Sequence, residues 1–151
     1  MSGIIVRQAT VADVEEAAAL FDEYRVWYGQ ASDLEGARRF LLDRFERSES
    51  VLYVAVDKAE NQYVGFTQLY PSFSSISMKR TWVLNDLFVR KEHRQRGAAS
   101  LLLQTAKEHA ERTRAKGLEL STALDNVRAQ RLYESKGYKR DEEFYHYFLS
   151  L

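Results

Sequence analysis

Residues 82–110 constrain the fold of this 151-residue chain more than any other stretch. They open as an apolar strand, Trp82-Val83-Leu84-Asn85-Asp86-Leu87-Phe88-Val89, and turn polar and basic from Arg90 to Arg96. A Gly97-Ala98-Ala99 step follows, and then Leu102, Leu103, Ala106 and Ala110 recur at helical spacing, which gives a helix with one apolar face. The order is therefore strand, basic glycine loop, helix N-terminus. The first turn of a helix carries unpaired N–H groups and the positive end of the dipole, so it binds phosphate readily. Gly97 has no Cβ and lets the backbone approach a ligand closely; Arg94 and Arg96 add full positive charges. A diphosphate on a larger molecule is the ligand expected there. The same residues also fit an ordinary strand-to-helix turn with solvated arginines. Neither G-x-x-x-x-G-K-[ST] nor G-x-G-x-x-G occurs, so the loop is neither a Walker loop nor a dinucleotide fingerprint.

The pattern Arg94-x-x-Gly97-x-Ala99 after a Leu-x-Val strand resembles the acetyl-CoA pyrophosphate loop of the GNAT superfamily of N-acetyltransferases. A second stretch, Asn126-x-x-Ala129-x-x-Leu132-Tyr133-x-x-x-Gly137-Tyr138, is similar to another segment of that superfamily, in the same order and at the same separation. The wider likeness spans nearly the whole chain and resembles the branch of the yeast histone and polyamine acetyltransferases. The resemblance implies acetyl-CoA as cosubstrate, held by Leu87, Phe88 and Val89, by Arg94, Gln95, Arg96, Gly97, Ala98, Ala99 and Ser100, and by Asn126, Ala129 and Tyr133. It also implies an α/β fold, the GNAT fold: a mixed, mostly antiparallel sheet of about six to seven strands with about four helices on its two faces. In that fold the sheet splays between the central strand and the strand that follows, and the cofactor enters the gap.

The length is that of one domain, residues 1–151, with enough chain to bury a core. The 22 basic and 22 acidic residues cancel, so no bulk attraction draws the chain to nucleic acid or to an anionic membrane. The absence of cysteine excludes disulfides, cysteine metal sites and a cysteine acyl-enzyme. No apolar run approaches the roughly 20 residues of a membrane span, and the first residues do not read as a signal peptide. A cytoplasmic protein is expected, with no metal: His93, His109 and His146 are scattered and lack ligand spacing.

Taken in order, residues 4–8 read as a strand and Thr10-Val-Ala-Asp13 as a capping box. The helix that follows has Val14, Ala17, Ala18, Phe21 and Tyr24 on one face and stops at Gly29. Ser32-Asp-Leu-Glu35 is a second capping box, before a helix with Leu34, Ala37, Leu41 and Phe45 inward. Residues 51–56 and 63–70 form a hairpin ended or bent by Pro71, and residues 72–79 a serine-rich loop. Beyond the central unit come a strand at 117–124, a helix at 126–136 and a strand at 144–149.

Transfer of an acyl group from a thioester to an amine needs a neutral amine, a stabilised oxyanion and a proton for the leaving thiolate. The resemblance puts Tyr133 beside the cofactor sulfur as proton donor, and the central-strand backbone near Leu87 beside the oxyanion. Asp86, a carboxylate inside an apolar strand, is the candidate base; it also reads as a structural carboxylate. Strict alternation sets it on one face with Leu84 and Phe88, which a bulge would change. Asn126 reads either as a pantetheine contact or as a helix cap. Tyr24, Trp27, Tyr28, Phe73, Ser74, Ser75 and Met78 are expected to line the acceptor pocket, or to be plain core residues. The expected activity is N-acetylation of a primary amine by direct transfer in a ternary complex: a small amine, polyamine or amino acid first, a protein lysine or N-terminus second. The alternative is a non-catalytic acyl-CoA-binding regulatory module. The aromatic stretch 144–149 points to a homodimer.

Overall fold

The structure, a computed structural model, describes residues 3–151. The chain divides into two units, Met1–Ser121 and Thr122–Leu151. In the first unit the apolar runs become β1 (Ile4–Gln8), β2 (Val51–Asp57), β3 (Gln62–Ser74), β4 (Lys79–Val89) and β5 (Leu118–Glu119). They lie in one sheet in the order β1-β2-β3-β4-β5, antiparallel except for the parallel β4–β5 pair. The helices are α1 (Val14–Trp27), α2 (Leu34–Arg47) and α3 (Ala98–Arg112); α4 (Val127–Ser135) belongs to the second unit. This is the α/β architecture of the GNAT fold, with a mixed and mostly antiparallel sheet and four helices among the described residues.

Both faces of the sheet are covered. Leu52, Val54 and Val56 of β2, with Phe66 and Phe88, pack against Val14, Ala17, Ala18, Leu20 and Phe21 of α1 and Ala37 and Leu41 of α2. The alternate residue of β2, Tyr53, bonds His109 Nδ1 of α3 through its hydroxyl at 2.8 Å, and Trp82 Nε1 donates to Thr113 Oγ1 at 2.8 Å. A strand covered on both faces reads as a continuous apolar run, which is what β2 does.

The sheet holds five strands among the described residues, not six or seven. Residues 120–124 and 144–149 have strand-like sequence but no ladder. A strand exists only by pairing, and composition alone does not supply a partner. Pro71 does not end the hairpin; β3 runs through it to Ser74. Trp82 N–H bonds Gly117 O at 3.1 Å, so Trp82 directs its backbone groups away from β3. Its partner Pro71 then faces the β2 side, where β2 has already ended at Val51 opposite Leu69. The missing N–H costs no ladder bond. The serine-rich loop shrinks accordingly to a turn between Ser74 and Lys79.

The first capping box forms. Thr10 Oγ1 accepts from Ala12 N at 3.3 Å and Asp13 Oδ2 accepts from Thr10 N at 2.8 Å. The second does not. Asp33 caps α2 by accepting from Gly36 N at 2.9 Å, while Ser32 Oγ donates to Asp22 at 2.6 Å. Asp13 has more work than a cap. It receives both Nη atoms of Arg7 at 2.9 and 2.8 Å and the Tyr63 hydroxyl, which ties β1, α1 and β3 together. The Arg7 bonds, with those of Tyr63 and Thr10, hold its carboxyl well below the usual carboxylate range.

A depressed folded-state pKa stabilises the fold above the unfolded value of about 3.9, and this contribution is lost as pH falls below it. Asp13→Asn is therefore expected to cost about 1–2 kcal/mol near pH 7, a modest figure because Arg7 is partly solvent-screened. The difference from the parent chain shrinks below about pH 4. Urea unfolding of both proteins at a series of pH values measures it; a difference independent of pH would exclude this linkage.

Candidate functional site

The site is built on β4. Its register against β3 shifts once: Asp86 pairs with Gln68 and Leu84 with Leu69, which leaves Asn85 as an extra residue. This bulge turns the strand over. Before it, Trp82 faces α3, and Leu84 shares its parity. After it, Phe88 meets the Tyr24 ring of α1 edge-on at 5.9 Å and Asp86 bonds the Tyr24 hydroxyl. Asp86 and Phe88 thus share a face, while Leu84 lies on the opposite one. Strict alternation fails here because one residue was inserted.

The backbone turns over with the side chains. Arg90 N–H bonds Val64 O of β3 at 2.8 Å. Alternation then points the N–H and C=O of Val89 and Leu87 off the opposite edge. β5 pairs with β4 only at Trp82 and Val83, so this edge has no strand partner at Leu87 and Val89 among the described residues. Val89 O is taken by Arg94 Nε at 3.1 Å. The N–H groups of Leu87 and Val89 remain as edge donors, spaced two residues apart. Gly65 makes the β3 side possible: a Cβ there would stand 2.6 Å from Phe88 O.

Asp86 is 6% exposed. Its carboxylate accepts from Gln68 Nε2 at 2.9 Å and Asn85 Nδ2 at 3.2 Å, and Ser50 Oγ in turn donates to Gln68 Oε1 at 2.9 Å. Burial pushes the Asp86 carboxyl up; the bonds from Gln68, Tyr24 and Asn85 pull the other way and lose. Burial, then Asp86, raises the Tyr24 hydroxyl as well, and the same causes push Tyr70 up to about 12. A buried carboxylate with raised proton affinity, beside phenols that stay protonated, is a stronger proton acceptor than a solvated one. Gln68 was missed in the sequence, although a lone amide inside the apolar run of β3 marks it.

The loop after β4 is anchored from both sides. Arg90 reaches Glu23 of α1 at 2.6 and 2.9 Å and Tyr63 O at 2.8 Å. Arg96 Nη1 lies 3.0 Å from Asp57 Oδ2 and 2.8 Å from His93 Nδ1, so its charge is shared with a carboxylate. Arg94 has no carboxylate partner among the described residues, and its guanidinium lies 5.6 Å from the Trp27 ring. Gln95 and Gly97 both hold left-handed backbone, φ 64° and 82°. Leu101 N–H makes the first bond of α3, to Gly97 O at 3.0 Å. The N–H groups of Ala98, Ala99 and Ser100 precede it and have no helical acceptor. Nothing lies within 4 Å of a Cβ built on Gly97, so the mouth of the loop is open. Open space, orphan N–H groups and an unneutralised arginine are what an anionic diphosphate requires, and two spaced edge donors suit an amide-bearing arm. The residues fit acetyl-CoA.

The residues expected at the acceptor pocket do not gather in one place. Tyr24 and Tyr28, 4.9 Å apart, stand at the end of α1 with Tyr24 on Asp86. Trp27 meets the Tyr28 ring edge-on at 5.0 Å and also lies on the loop arginine. Phe73 and Ser74 close β3 and Ser75 and Met78 lie in the turn. Phe73 pairs with Arg80, six residues before Asp86 on β4, a separation of roughly 20 Å at ~3.3 Å per residue.

In the second unit Asn126 caps α4, accepting from Ala129 N at 3.2 Å. Tyr133 lies on α4 with its ring 5.9 Å from that of Tyr138, whose N–H bonds Tyr133 O at 3.1 Å. Burial, then Tyr133, pushes the Tyr138 hydroxyl up to about 12.

Comparison with known proteins bears on the family and the fold. Residues 17–138 match the model of the acetyltransferase (GNAT) family. The uncharacterized N-acetyltransferase YhfO of Bacillus subtilis (strain 168) is 49% identical over 146 residues, covering 97% of each chain. A probable acetyltransferase of Haemophilus influenzae is 33% identical over 127 residues, 84% of each chain. The crystal structure of a probable acetyltransferase superposes with a TM-score of 0.93 at 46% identity, over 97% of each chain.

The buried carboxyl has a stability signature of its own. A raised folded-state pKa means a contribution present below the unfolded value and lost as pH rises through the folded one. Asp86→Asn cannot ionise, so its stability relative to the parent chain is expected to improve as pH rises above about 4. Thermal unfolding of both proteins between pH 4 and 8 reads the change; a difference that is flat, or that runs the other way, excludes a raised carboxyl.

Proposed function

We propose that this chain, which belongs to the acetyltransferase (GNAT) family, moves an acetyl group from acetyl-CoA to a primary amine by direct transfer in a ternary complex. The observation that carries the reading is the open loop at Gly97, with φ 82° and no atom in the space its side chain would fill, at the start of α3. The family match runs across both units, which supports reading the chain as one catalytic domain.

Acetyl-CoA, when bound, supplies the thioester carbonyl that is attacked. The chain's own residues do the rest. Arg94 and the N–H groups of Gly97, Ala98, Ala99 and Ser100 hold the diphosphate, and Gln95 and Arg96 shape the turn. The N–H groups of Leu87 and Val89 hold the amide-bearing arm and the carbonyl oxygen as its charge grows, which Phe88 backs from the α1 face. Asp86 removes a proton from the incoming ammonium, whose pKa near 10.4 leaves little neutral amine at pH 7. The amine nitrogen then bonds the carbonyl carbon, the carbon–sulfur bond breaks, Tyr133 donates the proton that the thiolate takes, and the second proton that the nitrogen sheds on becoming an amide restores the Tyr133 hydroxyl. Asn126 and Ala129 position the helix that carries Tyr133. Tyr24 and Tyr28 present aromatic faces to the ammonium beside Asp86, and Trp27 steadies Arg94. With charges balanced along the chain and no acidic tract to match a basic tail, a small amine, polyamine or amino acid is the favoured acceptor, ahead of a protein lysine or N-terminus.

Thiol release from acetyl-CoA against polyamines, amino acids, aminoglycosides and lysine peptides tests the reading. Turnover is expected with one class; no turnover on any, with acetyl-CoA leaving the melting temperature unchanged, would overturn it. Tyr133→Phe is expected to lower that turnover about 10- to 10³-fold with acetyl-CoA affinity kept, and an unchanged rate would remove Tyr133 from the reaction. Gly97→Glu puts a carboxylate at the diphosphate and a side chain on left-handed backbone, which costs about 1–2 kcal/mol. It is expected to abolish acetyl-CoA binding in a calorimeter while the far-ultraviolet spectrum stays that of the parent; unchanged affinity would reject the loop as the site.

A further inference from the structure

Gln68 stands in the middle of β3 with none of its surface exposed, between buried apolar residues such as Phe66 and Leu69. A buried amide costs stability unless its polar ends are bonded. The backbone at this position is already held by the sheet, with Leu52 of β2 opposite on one side and Asp86 of β4 on the other. An apolar side chain would fill the same place without that cost, so the fold of β3 alone does not call for an amide at 68.

The two ends of the amide are spent in a chain of bonds. Ser50 Oγ donates to Gln68 Oε1 at 2.9 Å, and Gln68 Nε2 donates to Asp86 Oδ2 at 2.9 Å. The other carboxylate oxygen, Oδ1, has the longer contact, 3.2 Å, with Nδ2 of Asn85, the inserted residue of the bulge. Thr67 adds a bond to the backbone: its Oγ1 donates to Asp86 O at 2.7 Å. Successive strand residues point to opposite faces, so Thr67 and Gln68 hold Asp86 from both sides of the sheet. The titratable groups that face the carboxylate are the hydroxyls of Tyr24 on α1 and Tyr70 on β3. Arg44 of α2 acts on Tyr70, and no cation among the described residues acts on Asp86.

We propose that Gln68, anchored by Ser50, is a positioning residue for acetyl transfer: it pins Asp86 Oδ2 inside the sheet and leaves Oδ1, on the side of the bulge, as the atom that takes the proton from the incoming ammonium. Gln68 can play this part only if Asp86 is the base, as proposed above. A base held in one rotamer meets its proton without a search, which is how orientation lowers a barrier. The Nε2–H bond is stronger to the ionised carboxylate than to the neutral acid, so Gln68 also limits how far burial raises the proton affinity of Asp86. The Ser50 hydroxyl polarises the amide and strengthens that bond in turn. No bond to Gln68 or Ser50 is exchanged in the reaction; the proton passes from the ammonium nitrogen to Oδ1.

The test is a titration of the Asp86 carboxyl carbon by nuclear magnetic resonance in the full chain labelled at aspartate, with Asp86→Asn assigning the signal. Gln68→Met keeps an unbranched side chain of similar volume and removes the donor. It is expected to raise the midpoint by about one pH unit, as the loss of one hydrogen bond to a charged group implies. Ser50→Ala is expected to raise it by less, and Ser50→Thr, which keeps the hydroxyl, to restore the parent midpoint. The acid limb of thiol release from acetyl-CoA, followed with the amine that turns over, is expected to move with the midpoint while KM for acetyl-CoA stays. A packing role alone would lower the melting temperature and move neither. A midpoint that Gln68→Met leaves in place or lowers overturns the positioning role; if that variant does not fold, an unmoved midpoint in Ser50→Ala does so. A midpoint that rises while the acid limb stays overturns the reading of Asp86 as base, and the part of Gln68 in the reaction with it, so the two failures are told apart.

Discussion

One inserted residue in β4 sets most of what the site contains. The extra Asn85 reverses the strand's parity. Before it, Trp82 points its ring at α3 and its N–H at Gly117. After it, Asp86 and Phe88 point at α1, and Arg90 rather than Val89 bonds β3. An unbroken strand would have turned Asp86 to the α3 side and spent the N–H groups of Leu87 and Val89 on β3. The bulge thus puts a carboxylate on the face where Tyr24 waits, and a pair of backbone donors on the edge that β5 leaves open. Its cost, an unpaired residue in a ladder, is met at Asn85, which is exposed and spends its amide on Asp86.

Around that bulge the molecule separates rigid supports from reactive ends. Asp13 joins β1, α1 and β3 through Arg7 and Tyr63, and Arg90 joins β4 to α1 and β3. Both are charges fully matched by partners. Asp86 is the opposite case, a buried carboxylate with no cation beside it among the described residues, held by neutral donors from Gln68, Asn85 and Tyr24. The contrast appears in the direction of their shifts, down for Asp13 and up for Asp86. The arginines of the loop divide in the same way. Arg96 is spent on Asp57 and braces the turn, while Arg94 keeps its charge and is steadied by Val89 O and the Trp27 ring.

Local chemistry decided what could be read from the chain and what could not. Gly97, Ala98 and Ala99 sit in a strand-loop-helix order whose meaning is local, because helix geometry alone orphans the first N–H groups. The first capping box was legible for the same reason. The second was not: Asp22, ten and eleven residues back in sequence, takes the Ser32 hydroxyl and the Asp33 N–H, and Asp33 becomes the cap. Pro71 misled because its effect depends on where β2 stops. Trp27 stands beside Tyr28 as its place at the end of α1 suggests, but its contact with the loop arginine depends on how α1 packs against the loop. Gln68 joined Asp86 only through the pairing of two strands eighteen residues apart.

The sequence by itself determined the element types, the phosphate-loop pattern and the family likeness, since these rest on periodicity, glycine placement and short-range spacing. Tertiary structure decided the rest. The parity of β4 comes from a register shift that no residue of the strand announces. The raised Asp86 carboxyl comes from burial between β3 and α1. The fate of two strand-like segments, 120–124 and 144–149, depends on a partner, because a backbone ladder is a property of two chains of atoms and not of one.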